Sequence, residues 1–287
     1  MLAIKHILFP IDFSERCCSA APFVQAMATR FGANITLISA LPPVWQTGLG
    51  EGATIPVDTN ELKRDLEVRL GGAFGREFAG IPVQRVVEIG DPSEVITRFA
   101  QTEGVDLIMM PTHGYGPFRT LLLGSVTAKV LHDAECPVWT ATHMEERPSL
   151  RNKSDSNVLC AVDRTPQSVP LMQWAAEYAK LTGTTLRLVH AVSGIVGWPE
   201  RQLDQDFQEA LRKDAREAIE GLQRSAGITA PLCVGVGEVA DVVRAEAERH
   251  DSELILIGRG ILHETMGRLR THSYGIIRHA PCPVLSV

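Results

Sequence analysis

No apolar run in this chain approaches the ~20 residues that a membrane-spanning helix requires, so no membrane partner is expected. Excess positive charge is also missing. Lys and Arg number 28 against 34 Asp and Glu, for a formal net charge of −6. Nothing in that balance supports a nucleic acid or an anionic lipid surface as a partner. Cysteine is scarce, with six in all, and none forms a Cys-x-x-Cys pair. There is no Gly-x-x-x-x-Gly-Lys-Ser/Thr, which excludes a P-loop ATPase. There is no Gly-x-Ser-x-Gly, so a hydrolase nucleophile elbow is unsupported. The first residues, Met1 to His6, lack the charged, apolar and small-residue regions of a signal peptide. A cytoplasmic location with reduced, mostly buried thiols is the expectation, and a redox role for the vicinal pair Cys17-Cys18 is disfavoured.

What is present is a soluble composition, 45% hydrophobic and 22% charged, over 287 residues, enough for two domains. The chain repeats itself. His6 to Asp12 matches Asn157 to Asp163, Ile35 to Ala40 matches Leu186 to Ala191, and Ala134 to Val138 matches Ala280 to Val284. The offset runs from 146 (Ala134 to Ala280) to 151 (His6 to Asn157), too long for a solenoid repeat and right for a duplicated domain.

Each half reads β-α-β-α-β-α-β-α-β, with short apolar strands of the kind covered on both faces. That alternation predicts two tandem α/β domains, each an open, doubly wound parallel sheet. The expected bounds are 1–143 for the first domain, 144–156 for a charged, Pro-bearing linker, and 157–287 for the second. Leu62, Leu66, Leu70, Phe74 and Phe78 recur every four residues, as do Leu203, Phe207, Leu211, Ala215 and Ile219. Both sets are expected as core-facing helix stripes. Thr59 and Ser93 are expected N-caps, and Gly32 and Gly183 expected helix stops. The irregular stretches 42–58 and 193–200 follow the second strand of each half; the longer one, 42–58, is expected to act as a lid.

Chemistry concentrates in one run. Asp106 to Met110 reads as a buried strand. Then come Pro111-Thr112-His113-Gly114, nine residues, Gly124-Ser125-Val126-Thr127, a helical pattern to Ala134, and Cys136-Pro137-Val138. A glycine-bearing loop between a strand and a helix start lets backbone N–H groups and the positive helix end meet a phosphate. Asp12, with Phe13-Ser14 after it, ends the first strand.

These motifs, in this order, resemble those of the universal stress protein family, and two such domains cover nearly the whole chain. The resemblance implies an adenine-nucleotide α-hydrolase-like fold in each half and ATP binding in the first. Adenine would lie near Asp12 and Ala40, with Met110 at the end of the fourth strand. The phosphates would lie along Thr112, His113, Gly114, Gly124, Ser125, Val126 and Thr127, with Mg²⁺ or Mn²⁺ held mainly by phosphate oxygens and water. His113 adds charge below neutral pH or orients a phosphate by hydrogen bonding.

Pro111 stands where the family has its first glycine, which removes one N–H and adds a ring. The second half departs further. Its loop reads Ile257-Gly258-Arg259-Gly260, nine residues, Arg270-Thr271. Arg270 either fills the place of a phosphate or joins Arg259 and Arg268 in an anion cradle; the filled site is favoured. Asp163 then becomes a relic. The spacing of His263, His272 and His279 fits no standard zinc pattern, and no metal ligand is assigned.

The expectation is a stress-type regulatory protein that binds ATP in its first half, with little or no hydrolysis because no general base is assigned. The family's dimerising strand implies a homo-oligomer or an intrachain pseudo-dimer through Val138 to Ala141 and Val284 to Val287. A dimerising scaffold that needs no nucleotide is the alternative. An ATP-dependent substrate-activating enzyme is disfavoured, since no cluster of reactive side chains marks a second pocket.

Overall fold

The computed structural model describes residues 2–43, 58–113, 123–142, 156–192, 205–259 and 268–287, without the side chains of 205 and 268–271. Most of the expected lid 42–58, the linker and Gly114 lie outside them.

The chain divides into two compact units. One is built on Ala3–Trp139, the other on Leu150–Val287 with Thr140–His143. The N-terminal half runs β1 (His6–Pro10), α1 (Glu15–Phe31), β2 (Asn34–Leu41), α2 (Thr59–Gly71), β3 (Val83–Ile89), α3 (Pro92–Thr102), β4 (Leu107–Pro111), α4 (Ser125–Asp133) and β5 (Val138–Ala141). Its strands lie in the order β3-β2-β1-β4-β5. The pairs β1/β2, β2/β3 and β1/β4 are parallel. The C-terminal half runs β6 (Asn157–Ala161), α5 (Ser168–Thr182), β7 (Thr185–Val192), α6 (Gln205–Ala226), β8 (Leu232–Val236), α7 (Val239–Arg249), β9 (Ser252–Ile257), α8 (Arg268–His279) and β10 (Val284–Ser286). Its order is β10-β9-β6-β7-β8, again with parallel pairs. Among the described residues no helix is long and apolar enough to cross a membrane.

The chain moves outward from β1 to β3, then crosses back to β4 and outward again to β5. Right-handed crossovers therefore put α1 and α2 on one face and α3 and α4 on the other. The packing of α3 on α4, α5 on α6, and α7 on α8 agrees. The two directions part between β1 and β4, and between β6 and β9. At such switch points the loops beyond the strand ends separate and leave a crevice. Ile7 and Leu8 pair with Leu107 and Ile108, an offset of 100. That parallel pairing brings the carboxyl ends of β1 and β4, and the turns that follow them, to one edge of the sheet.

Local signals account for most helix ends. Gly32 and Gly183 stop α1 and α5 in the left-handed conformation, with φ of 64° and 70°. The expected N-caps Thr59 and Ser93 are corrected: the caps are Asp58 and Asp91. Asp58 Oδ1 accepts from the N–H groups of Asn60 (2.8 Å) and Glu61 (3.3 Å). Asp91 Oδ1 accepts from those of Ser93 (3.0 Å) and Glu94 (3.3 Å) and from the Ser93 hydroxyl, which holds its carboxyl below the usual carboxylate value. A carboxylate one or two residues upstream outcompetes a hydroxyl that would cap later.

The expected stripes are corrected too. Leu70 and Phe78 are buried, but Leu62 is exposed and α2 ends at Gly71. Ala215 and Ile219 are buried, but Phe207 is 51% exposed, and Leu203 lies outside the described residues. The cause is geometric. Four residues advance about 400° around a helix, so a strict four-residue spacing drifts by ~40° per step and winds off the core face.

Candidate functional site

The β1–α1 turn is built by its own side chains. Asp12, exposed, accepts the Ser14 N–H at 2.9 Å through Oδ1. Ser14 caps α1 by accepting the Cys17 N–H at 3.1 Å. Phe13 between them is in the left-handed region, with φ of 61°, an unusual place for a bulky residue. The Arg69 guanidinium from α2 sits 4.0 Å above its ring. Beside this turn, the Ser39 hydroxyl donates to the Ile11 carbonyl at 2.8 Å. Ala40 follows, half-buried and in register with Glu88.

The strand β4 delivers the other wall. Met110 is 5% exposed, so its side chain belongs to the core. The Pro111 carbonyl accepts the Thr127 hydroxyl at 3.0 Å, and the Thr112 carbonyl accepts the Gly124 N–H at 2.9 Å. Two bonds thus staple the end of β4 to the start of α4. Pro111 takes the last position of the strand, where a missing N–H is tolerated. Gly124 caps α4 with no side-chain bond. A Cβ on Gly124 would stand 3.1 Å from the Thr112 carbonyl oxygen, so only glycine packs there without displacement. The first helical bond runs from the Ala128 N–H to the Gly124 carbonyl at 2.8 Å. The N–H groups of Ser125, Val126 and Thr127 therefore stand ahead of the ladder, at the positive helix end.

His113 Nδ1 and Thr112 Oγ1 share a hydrogen bond of 3.0 Å, and Nε2 is buried without a partner. Burial, and then the positive charge of Arg16, hold the imidazole below the ordinary histidine value. Gly114 lies outside the described residues.

The second half has the same plan with different contents. Its equivalent of Asp12, also exposed, carries more bonds on one oxygen: Asp163 Oδ1 accepts from the Thr165 N–H (2.9 Å), the Thr165 hydroxyl (2.6 Å) and the Ser168 hydroxyl (2.8 Å). His190 stands where the first half has Ser39, and its Nδ1 bonds the Val162 carbonyl at 2.8 Å, as Ser39 bonds Ile11. It is 8% exposed, a satisfied core histidine. Helix α8 begins at Arg268, three residues before Thr271, the counterpart of Ser125. The helix start is therefore not where the first half has it. Gly260 and the side chains of Arg268, Arg270 and Thr271 lie outside the described residues, as does His263.

All six cysteines are free. By residue, Cys17 and Cys160 are buried, Cys136, Cys233 and Cys282 are half-buried, and Cys18 is exposed. Burial pushes Cys17 and Cys282 up to about 12, and raises Cys160 as well. The thiolate is the nucleophile, so these groups are inert. Iodoacetamide on the native protein at neutral pH should modify Cys18 first and reach Cys17 and Cys160 only on unfolding, as read by peptide mass spectrometry. Equal rates at Cys17 and Cys18 would contradict this.

Sequence reasoning missed Ser14, Ser39, Phe13 and Arg69 as builders of the site. The triplet Asp12-Phe13-Ser14 carried a readable capping signal. The Arg69–Phe13 contact, between residues far apart in sequence, had none.

A sequence profile of the universal stress protein family matches residues 3–141 and again 156–287. A universal stress protein of Methanocaldococcus jannaschii is 30% identical over 149 residues, 47% of this chain and 92% of that protein. One from Thermus aquaticus is 36% identical over 136 residues, 47% of this chain and 96% of its own length. Both relatives are about one domain long, half of the present chain. The crystal structure of a universal stress protein from Archaeoglobus fulgidus superposes with a TM-score of 0.70 at 22% identity, covering 100% of this chain and 97% of that one. That likeness is one of fold.

Proposed function

The chain belongs to the universal stress protein family, and from that premise we propose that it is a stress-related regulatory protein whose N-terminal half binds ATP and whose C-terminal half does not. One observation carries the reading: Gly124 brings the uncapped start of α4 against the end of β4, leaving the N–H groups of Ser125, Val126 and Thr127 ahead of the helix ladder. Such a cradle suits a phosphate chain. Asp12, exposed at the switch point, accepts from a ribose hydroxyl or the adenine amine. The Thr127 hydroxyl is committed to Pro111, so that residue contributes its N–H. Mg²⁺ or Mn²⁺ rides on the phosphates and water. In the second half one Asp163 oxygen accepts three hydrogen bonds from Thr165 and Ser168, against one from Ser14 on Asp12, and the glycine before the helix is replaced by Arg270, which together support a single site. Hydrolysis is slow, and nucleotide binding biases a conformation or partner surface.

Calorimetric titration of the purified full chain with ATP and Mg²⁺, after removal of any co-purified nucleotide, tests the proposal. One site per chain is expected. Two sites would restore the arginines of the second half as an anion cradle. Silence at millimolar ATP would sink the proposal and leave a scaffold that acts without nucleotide.

The two aspartates should separate in the same assay. Asp12→Ala is expected to weaken ATP about tenfold, the loss of one good hydrogen bond, with little change in melting temperature. Asp163→Ala should leave affinity unchanged and cost about 1 kcal/mol of stability, because it unties the turn before α5. The reverse pattern would place the nucleotide in the second half.

A further inference from the structure

Phe13 stands where the backbone resists a bulky side chain. Its φ of 61° lies in the left-handed region, which a residue with a Cβ keeps only where its surroundings hold it. The turn serves Asp12, whose Oδ1 spans it to accept the Ser14 N–H at 2.9 Å. Over the Phe13 ring lies a cation, the exposed Arg69 guanidinium of α2, 4.0 Å from the ring centroid. The end of α2 that supplies it is fixed in place. Leu70 is 1% exposed, and Arg85 of β3 donates to the Leu70 carbonyl at 3.0 Å and to the Ala73 carbonyl at 2.9 Å. Arg69 thus reaches the β1–α1 turn from an anchored element.

The second half joins the corresponding elements by other means. Arg164, 151 residues after Phe13, follows Asp163 as Phe13 follows Asp12. It pairs with Asp214 of α6 at 2.7 Å. Helix α6 is the second helix of its half, as α2 is of the first. Yet Arg164 is not among the residues of positive φ. A clasp from the second helix recurs, while the left-handed turn beneath it is made only in the first half. Since the second half folds on the same plan without that strain, the fold does not require it.

We infer that Arg69 is a positioning residue of the nucleotide site: its guanidinium, laid on the Phe13 ring, holds the left-handed turn that presents Asp12 to the nucleotide. The inference rests on the nucleotide site proposed above and adds how that site is kept in shape. The attraction is that of a cation for the negative face of an aromatic ring. Release of the ring lets the turn relax toward negative φ, and the Asp12 carboxylate turns with it. Helix α2 and the nucleotide are thereby coupled, since each favours the conformation that the other needs.

The test is a double-mutant cycle read in ATP affinity, by calorimetry of the full chain with Mg²⁺. Arg69→Met keeps the length of the side chain and removes its charge. It should weaken ATP about two- to fivefold, the size of one exposed cation–π contact, with the melting temperature of the nucleotide-free protein near wild type. Arg69→Lys keeps a cation over the ring and should fall between the two. Phe13→Leu removes the aromatic face, and in that background Arg69→Met should weaken ATP no further. Wild-type affinity in Arg69→Met would overturn the inference and leave the nucleotide site standing. So would an equal loss in both backgrounds, because the arginine would then attract the nucleotide by charge alone, without the turn. If Phe13→Leu does not fold, Asp12→Ala takes its place: Arg69→Met must again add nothing, and an undiminished loss overturns the inference. Failure of wild type to bind ATP overturns both readings.

Discussion

Gly124→Arg is expected to weaken ATP binding by at least about a hundredfold, more than two powers of ten in calorimetry, while the far-ultraviolet circular dichroism and melting temperature stay near wild type. The backbone at this residue has φ of −59° and ψ of 142°, which any L-residue adopts, so the substitution brings no conformational strain. The new Cβ must ease away from the Thr112 carbonyl oxygen by a few tenths of an ångström from its 3.1 Å approach. That local shift is small beside what the rest of the side chain does. A guanidinium laid over the start of α4 covers the N–H groups of Ser125 and Val126, and it copies the residue that the second half carries at the same place, Arg270. Gly124→Ala separates the two effects. It adds the Cβ without the cation, and a loss of only a few-fold is expected. Undiminished binding by Gly124→Arg would mean that the phosphates do not lie against α4.

Phe9→Ala should lower the stability of the N-terminal half by about 3–5 kcal/mol, the usual cost of deleting a fully buried aromatic ring. Phe9 is 0% exposed in β1. Its ring meets Phe74 at 5.7 Å and Phe78 at 6.3 Å between centroids, so the cavity would open where strand and post-helical turn meet. The strand β1 leads directly to Asp12, so loosening it reaches the site as well as the core. Thermal unfolding with and without ATP is the measurement. An early, separate transition is expected for the variant, moved upward by saturating nucleotide, since a ligand that binds only the folded form stabilises it. A variant that melts with wild type would mean that these rings add little to the core.

The duplicated plan was legible because it is written in local signals. Short β-branched strands, intervening helical stretches and the glycine stops at Gly32 and Gly183 each follow from neighbours within a few residues. The strand β4 and helix α4 fall within a residue of the positions that the sequence suggests, Leu107–Pro111 against Asp106 to Met110, and Ser125–Asp133 against Val126 to Ala134. Where two local signals compete, reading is harder. Asp58 stands directly before Thr59, and Asp91 stands two residues before Ser93; all four are good caps, and only the chain's path decides which oxygen meets the free N–H groups. The helix stripes failed for a different reason, since a four-residue spacing is nearly but not quite helical.

By itself, then, the sequence determined the α/β alternation, the tandem repeat and the glycine-bearing run that marks the first half, because each depends on short-range chemistry. The tertiary structure decided the rest. Only strand order places β1 beside β4 and so brings the turns after them, from residues about 100 apart in the chain, to one edge of the sheet. Only packing sets the Gly124 backbone against the Thr112 carbonyl, leaves His113 Nε2 without a partner, and gathers three hydrogen bonds on one Asp163 oxygen. Such contacts join residues that are remote along the chain, and no pattern read one neighbour at a time contains them.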